Sequence, residues 1–267
     1  NIPRIDYTDG TASILLEPQS TNLITYSEDF SNASWNKTRL TTTPNATTSP
    51  DGGLNATKLV ESIDNNSRNV VSIINPSLGA NVVGSVFVKK ADYDYIMLEV
   101  IDNAANVNAG LNSYRVSFDI LNGTFNADFS SGSPINPLYK IEDYGNGWFR
   151  LSVGLTKRTD ATRTDAKVIL VSDNTNSANP TYQGDGVSGT YIYGAQLEAL
   201  PYSTSYIPTN GAIATRLADA VTGAGDATTF NDSEGVLYFE GSALDGSRSL
   251  GVSDGTGNNR VLILLSS

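Results

Sequence analysis

The 267-residue chain has no cysteine and no histidine. The first absence excludes disulfides, zinc–thiolate sites, iron–sulfur clusters and cysteine nucleophiles. The second excludes Ser-His-Asp triads, histidine general bases and imidazole-bound metals. Any metal would be a hard ion held by oxygen, calcium first. Any catalysis would rest on carboxylates, Tyr, Lys or Arg. Charge is also scarce: charged residues make up 17%, with 17 Lys+Arg against 28 Asp+Glu, for a net charge of −11. So acidic a surface repels nucleic-acid phosphate and anionic lipid, so neither is expected as a partner. Long apolar runs are missing. The longest, Val261 to Leu265, is strand length, far below the ~20 residues of a membrane span, so no membrane insertion is expected.

What is plentiful points to strands and turns. There are 26 Asn, 26 Thr, 24 Gly and 13 Tyr. Asn and Gly tolerate left-handed backbone, and Thr and Tyr suit pleated surfaces. Period-2 patterns predict strands over Ala56 to Ser62, Val70 to Ile74, Val82 to Lys89, Tyr95 to Ile101, Tyr114 to Ile120, Tyr139 to Tyr144, Trp148 to Leu155, Ala166 to Val171 and Thr190 to Leu200. Asn122-Gly123 and Asn146-Gly147 are hairpin signals. Ser31 to Trp35 is expected to make one helical turn, and no longer amphipathic helix is expected. This spacing predicts an all-β fold, an antiparallel β-sandwich. A boundary is expected near Pro208: a first domain over 1–208, a connector over 209–232, and an incomplete second β unit over 233–267. The ends, Asn1-Ile2-Pro3-Arg4 and Ser267 just after an apolar strand, read as those of a piece of a longer polypeptide.

Three stretches carry a resemblance. They are Glu17-Pro18-Gln19-Ser20-Thr21-Asn22-Leu23-Ile24-Thr25-Tyr26-Ser27-Glu28-Asp29-Phe30, Gly145-Asn146-Gly147-Trp148-Phe149-Arg150, and Tyr191-Ile192-Tyr193-Gly194-Ala195-Gln196-Leu197-Glu198 running on to Thr204-Ser205-Tyr206-Ile207-Pro208-Thr209. In this order they resemble a jelly-roll, carbohydrate-binding-like module of bacteriophage tail-fibre and other virion proteins, also found in marine bacterial extracellular proteins. The segment from Ser233 resembles the start of a concanavalin-like (laminin-G-like) domain. The resemblance implies glycan binding or host attachment, an extracellular or virion location, and no catalytic residue. The expected partners are surface polysaccharide, other virion subunits and further copies of the chain, with a trimer expected for a fibre. Three other readings stay open at this point: a binding module of a secreted polysaccharide-degrading enzyme, a purely structural capsid or fibre domain, and, last in rank, a carboxylate-based glycosidase.

The expected ligand-binding residues are Tyr93, Asp94, Tyr95, Tyr114, Arg115 and Tyr139, with Lys140 beside the last. Tyr93 and Tyr95 share one side of an extended chain, ~7 Å apart, and amphipathic rings suit a sugar face. The competing reading is that these tyrosines cover a wet β-surface. Trp35 and Trp148 are stacking candidates too, but both lie within landmark segments and read better as packing, although alternation sends Trp148 toward the open side. Two calcium sets are considered: the loop with Asp173, Asn174, Asn176 and Asp185, and Glu28 or Asp29 with Glu198. The second follows from the resemblance, because similar jelly rolls hold a structural calcium near the first and last strands.

Overall fold

In a computed structural model, residues 4–6, 12–74, 81–104, 111–173, 177, 180–219, 248–253 and 260–265 are described. Contacts divide the chain into two units, Glu17–Ala218 and a second formed by Asn1–Leu16 with Asp219–Ser267. The second unit shows two antiparallel hairpins. One joins β1 (Arg4–Asp6) to β2 (Ser13–Leu15), and the other joins β19 (Arg248–Ser253) to β20 (Arg260–Leu265). Residues 233–247 of the expected second β unit lie outside the described residues, as does most of the expected connector.

The Glu17–Ala218 unit is an antiparallel β-sandwich. Its strands are β3 (Ser20–Asn22), β4 (Asn36–Thr38), β5 (Leu40–Thr47), β6 (Ala56–Glu61), β7 (Asn65–Asn66), β8 (Arg68–Ile74), β9 (Asn81–Lys90), β10 (Tyr95–Ala104), β11 (Leu111–Asp119), β12 (Thr124–Ser131), β13 (Ile135–Asp143), β14 (Trp148–Thr156), β15 (Ala161–Leu170), β16 (Tyr182–Gln183), β17 (Gly189–Glu198) and β18 (Ala214–Arg216). One six-stranded sheet has the order β12-β11-β10-β15-β8-β4, the other β13-β14-β9-β17-β6-β5. The described residues contain no helix, and Ser31 to Trp35 forms turns instead. There the Lys37 ammonium donates to the carbonyls of Phe30, Ser31, Asn32 and Trp35 at 3.0–3.3 Å, tying the turn down.

The core lies between the sheets, and alternation selects it. Ile96, Leu98 and Val100 with Val116 and Phe118 come from one sheet; Val86 and Val88 with Leu151, Val153 and Leu197 come from the other. Full burial of such side chains is worth about 1.5–3 kcal/mol each.

The second sheet is buried on its other face as well. Phe87, Trp148 and Tyr193 point outward from β9, β14 and β17 but form a second cluster with Tyr191 and Tyr206. Trp148 therefore takes the outer side, as alternation indicates, yet that side is closed over. Its indole N–H donates to the Thr48 carbonyl at 3.0 Å. Trp35 is equally buried, in the core, and donates to the Tyr26 carbonyl at 2.8 Å.

The cover is a clasp built from the first and third landmark segments. Buried Asn22 uses its whole amide: Nδ2 donates to the carbonyls of Ala195 (3.1 Å) and Ile207 (2.9 Å), and Oδ1 accepts from the amides of Ile24 and Leu197, both at 3.1 Å. Ser20 donates to Glu198 at 2.6 Å, and the Ser205 amide donates to Glu17 at 2.8 Å. The clasp needs β17 to leave its ladder, and it does so at a register shift between Tyr193 and Gln196. Gly194 sits there at φ +57°, where a Cβ would also come within 3.0 Å of the Phe87 and Tyr206 rings. The freed Ala195 amide donates to the Ser27 carbonyl at 2.8 Å.

Candidate functional site

The six sequence-predicted ligand residues do not form one cluster. Tyr93 meets Tyr182 edge to face, with centroids 6.0 Å apart. Burial and then the Glu61 carboxylate push its hydroxyl well above the usual tyrosine range. Asp94 is ion-paired to Lys90. Tyr95 opens β10 opposite Asp119 and packs with Met97, Ile169 and Val171 on the outer face of the first sheet. Arg115 shares that face and reaches Glu99 at 2.7 Å, while Lys167 approaches Glu99 from the other side at 3.3 Å. Glu99 is only 2% exposed, and both cations beside it are committed to it. Tyr114, one residue from Arg115, points the opposite way into the core and donates to Asp128 at 3.0 Å. Tyr139 lies on β13, at the edge of the other sheet.

Four of the expected calcium ligands, Glu198, Glu28, Asp29 and Asp185, hold other groups. Glu198 accepts from Ser20 and from the Thr204 amide and hydroxyl. Glu28 accepts from the hydroxyls of Tyr193 and Tyr206, both at 3.0 Å. Asp29 closes a turn on Ser31, whose hydroxyl holds its carboxyl below the usual range. Asp185 does the same for Val187 and Ser188, and Asn174 and Asn176 lie outside the described residues. Among the described residues no three acidic side chains converge.

Two exposed features remain. The first is where the edge strands of the two sheets, β12 and β13, lie. Phe125 and Tyr139 stack there with centroids 4.8 Å apart and planes at 22°, one ring from each sheet, and Phe118 supports Tyr139 at 6.3 Å from below. They are 40% and 43% exposed. On the opposite faces of these strands, Lys140 bonds to Glu142 at 2.7 Å and Asn126 donates to Ser117 at 3.1 Å. Such a stacked pair can pack a pyranose C–H face.

The second is a depression at the end of the sandwich carrying both hairpin turns, lined by Lys89, Lys90, Ala91, Ile120, Leu121, Gly147 and Phe149. The Asn146-Gly147 turn has φ +54° and +78° at its two central positions, the mirror-image geometry that suits strand twist. At the other turn, Gly123 lies on the Phe149 ring: a Cβ would fall 2.4 Å from the ring, at φ +68°. That contact fixes Phe149 as the floor.

Of the residues named from sequence, Tyr139 and its neighbour Lys140 lie on the exposed edge, and Asp94 reaches the depression through Lys90. Phe125 was missed, although it follows the Asn122-Gly123 hairpin signal directly. Lys89 and Lys90 end a strand whose apolar alternation marks it as core. No family model matches the chain, and no curated protein matches it.

Proposed function

We propose that this chain is a non-catalytic glycan-binding module serving attachment. The observation that carries this reading is the exposed Phe125–Tyr139 stack on the joint edge of the sandwich. Two large rings left two-fifths open on this edge expose apolar area to water, and a sugar face relieves that exposure. The attachment context, a phage tail fibre or related virion protein acting outside the cell on surface polysaccharide, rests on the resemblance of the three landmark segments. In a trimeric fibre, repeated copies would turn weak single sites into firm binding.

Glycan-array and whole-cell binding test the reading. Tyr139→Ala and Phe125→Ala should each weaken binding about three- to tenfold, from a stacking contribution of about 0.5–1.5 kcal/mol. Failure to bind any polysaccharide or host cell, or unchanged binding by both variants, would overturn it.

A further inference from the structure

The two large sheets end in four edge strands, β12 and β4 in one, β13 and β5 in the other. An open edge is a row of backbone donors and acceptors that another strand can pair with. Proline, charged side chains, register shifts and shortness block such pairing. Three of the four edges are blocked in these ways. β4 is three residues long and holds Lys37. β5 carries Pro44 and shifts register between Thr43 and Thr47, with Asn45 at φ +54°. β13 carries Pro137 beside Asn136 at φ +48°, then Lys140, Glu142 and Asp143. β12 is different: it has eight residues, five of them exposed, and no proline, lysine or arginine. Its register against β11 shifts between Phe125 and Ala127, which leaves residues 127–131 as a regular open stretch.

The side chains of that stretch select its partner. Its one charge is Asp128, whose carboxylate already accepts from the Tyr114 hydroxyl at 3.0 Å. A strongly charged partner strand therefore gains little there. A copy of the same strand fits in one register. In an antiparallel pair about a twofold axis at Phe129, Phe129 lies beside its own copy, Asp128 opposite Ser130, and Ala127 opposite Ser131. Two rings then meet at the centre, each carboxylate faces a serine hydroxyl that can donate to it, and no like charges lie directly opposite. An axis at Asp128 would instead set carboxylate against carboxylate. Phe129 is half-buried and packs with Met97, Ile169 and Val171 on the outer face of its sheet, so the pair extends that apolar cluster across the join. Phe125 lies beyond the register shift and stays outside the paired stretch.

We propose that two copies of this chain join edge to edge through residues 127–131 of β12, antiparallel and centred on Phe129. A twofold contact of this kind is satisfied by one partner, so it stops at two copies and is distinct from the threefold assembly expected of a fibre. So short a stretch buries far less than the about 800 Å² per partner of a standard interface, so the dimer is weak and governed by concentration. The proposal goes beyond the glycan-binding reading and does not rest on it. Its consequence for that reading is two Phe125–Tyr139 stacks held in one particle.

Sedimentation velocity of the full chain, from micromolar to millimolar concentration, tests it. The expected result is a monomer that gives way to a dimer as concentration rises. Ser130→Lys sets an ammonium opposite the partner's Asp128 twice per dimer and should tighten association about two- to thirtyfold. Ser130→Asp sets carboxylates opposite each other and should weaken it by a similar factor. Ser130 is exposed, and an unchanged melting temperature would confirm that both variants fold. The chain has no cysteine, so an introduced one can form a disulfide only between copies. Phe129→Cys should cross-link on mild oxidation, and Ser131→Cys, set apart from its own copy, should not. A monomer at every concentration, a dimer indifferent to both Ser130 substitutions, or equal cross-linking of the two cysteine variants would overturn the proposal. Glycan binding by the monomer would be untouched by any of these results.

Discussion

Replacing Arg68 by methionine keeps much of the side chain's length but deletes its charge and donors. The guanidinium is wholly buried. It donates to the carbonyls of Asn66 (2.6 Å), Tyr182 (3.0 Å) and Ser62 (3.1 Å), and to that of Asp64. It lies 4.2 Å over the Tyr182 ring and faces the buried Glu61 carboxylate at 3.8 Å. At an effective dielectric of about 20, unit charges at that separation attract by about 4 kcal/mol. Removing one member of a buried pair typically costs about 3–5 kcal/mol, because the other is left uncompensated. The two figures describe the same loss by different routes and do not add. We expect Arg68→Met to cost about 4 kcal/mol. With a urea slope of about 2–3 kcal/mol/M, the midpoint should fall by about 1.3–2 M. Fluorescence is the assay, since the chain's two tryptophans, Trp35 and Trp148, both lie in the Glu17–Ala218 unit. A double variant with Glu61→Gln should cost less than the sum of the single changes, by about 1–3 kcal/mol. A loss under about 1 kcal/mol, or strict additivity, would refute the reasoning.

Two glycines separate steric from conformational cost. At Gly189 a Cβ would lie 1.7 Å from the Leu59 carbonyl oxygen, so Gly189→Ala should cost at least about 3 kcal/mol. At Gly145 nothing lies within 4 Å but φ is +75°, so Gly145→Ala should cost about 1 kcal/mol; equal melting points in calorimetry would contradict this. Acid stability follows from Asp51 and Asp185. Asp51 is held below the carboxylate range by the Ser49 and Tyr193 hydroxyls and the Gly53 amide, and Asp185 by the Ser188 hydroxyl and the amides of Ser188 and Val187. Their folded values lie below the unfolded value of about 3.9, so the unfolded chain takes up protons first. Their contribution is complete above about pH 5 and shrinks as pH falls through 4 toward the folded values. Melting temperature should drop over that range, less steeply for Asp51→Asn; an unchanged slope would count against this assignment.

Alternation made most of the large strands and the fold class readable, because Val, Ile and Phe at every second position mark a half-buried pleat. It failed on β5. Leu40–Thr47 reads Leu-Thr-Thr-Thr-Pro-Asn-Ala-Thr, with a single large aliphatic and an internal proline. The structure tolerates this because β5 is an edge strand, and its register shifts between Thr43 and Thr47, around Pro44 and Asn45. The site was less readable for a different reason. Alternation puts Tyr114 and Arg115 on opposite faces but does not say which face is covered. That depends on how the two sheets pack on each other, which leaves no trace in the period of a single strand. The Phe125–Tyr139 stack likewise joins two sheets, so no spacing along one strand could announce it.

The clasp also sets an order of events. Asn22 precedes its partner Ala195 by 173 positions and Ile207 by 185. At a synthesis rate of about 5–20 residues per second, the first half of the clasp waits roughly 10–35 s for the second. For much of that interval Phe87, and later Trp148, are already made while their cover is not. A nascent chain of this kind presents a sticky aromatic face on the ribosome until its final strands emerge. Loop closure over such separations also makes for slow folding, in milliseconds to seconds once the chain is complete. The first and third of the quoted segments thus act as a late fastener, closing the molecule only after every strand between them has been made.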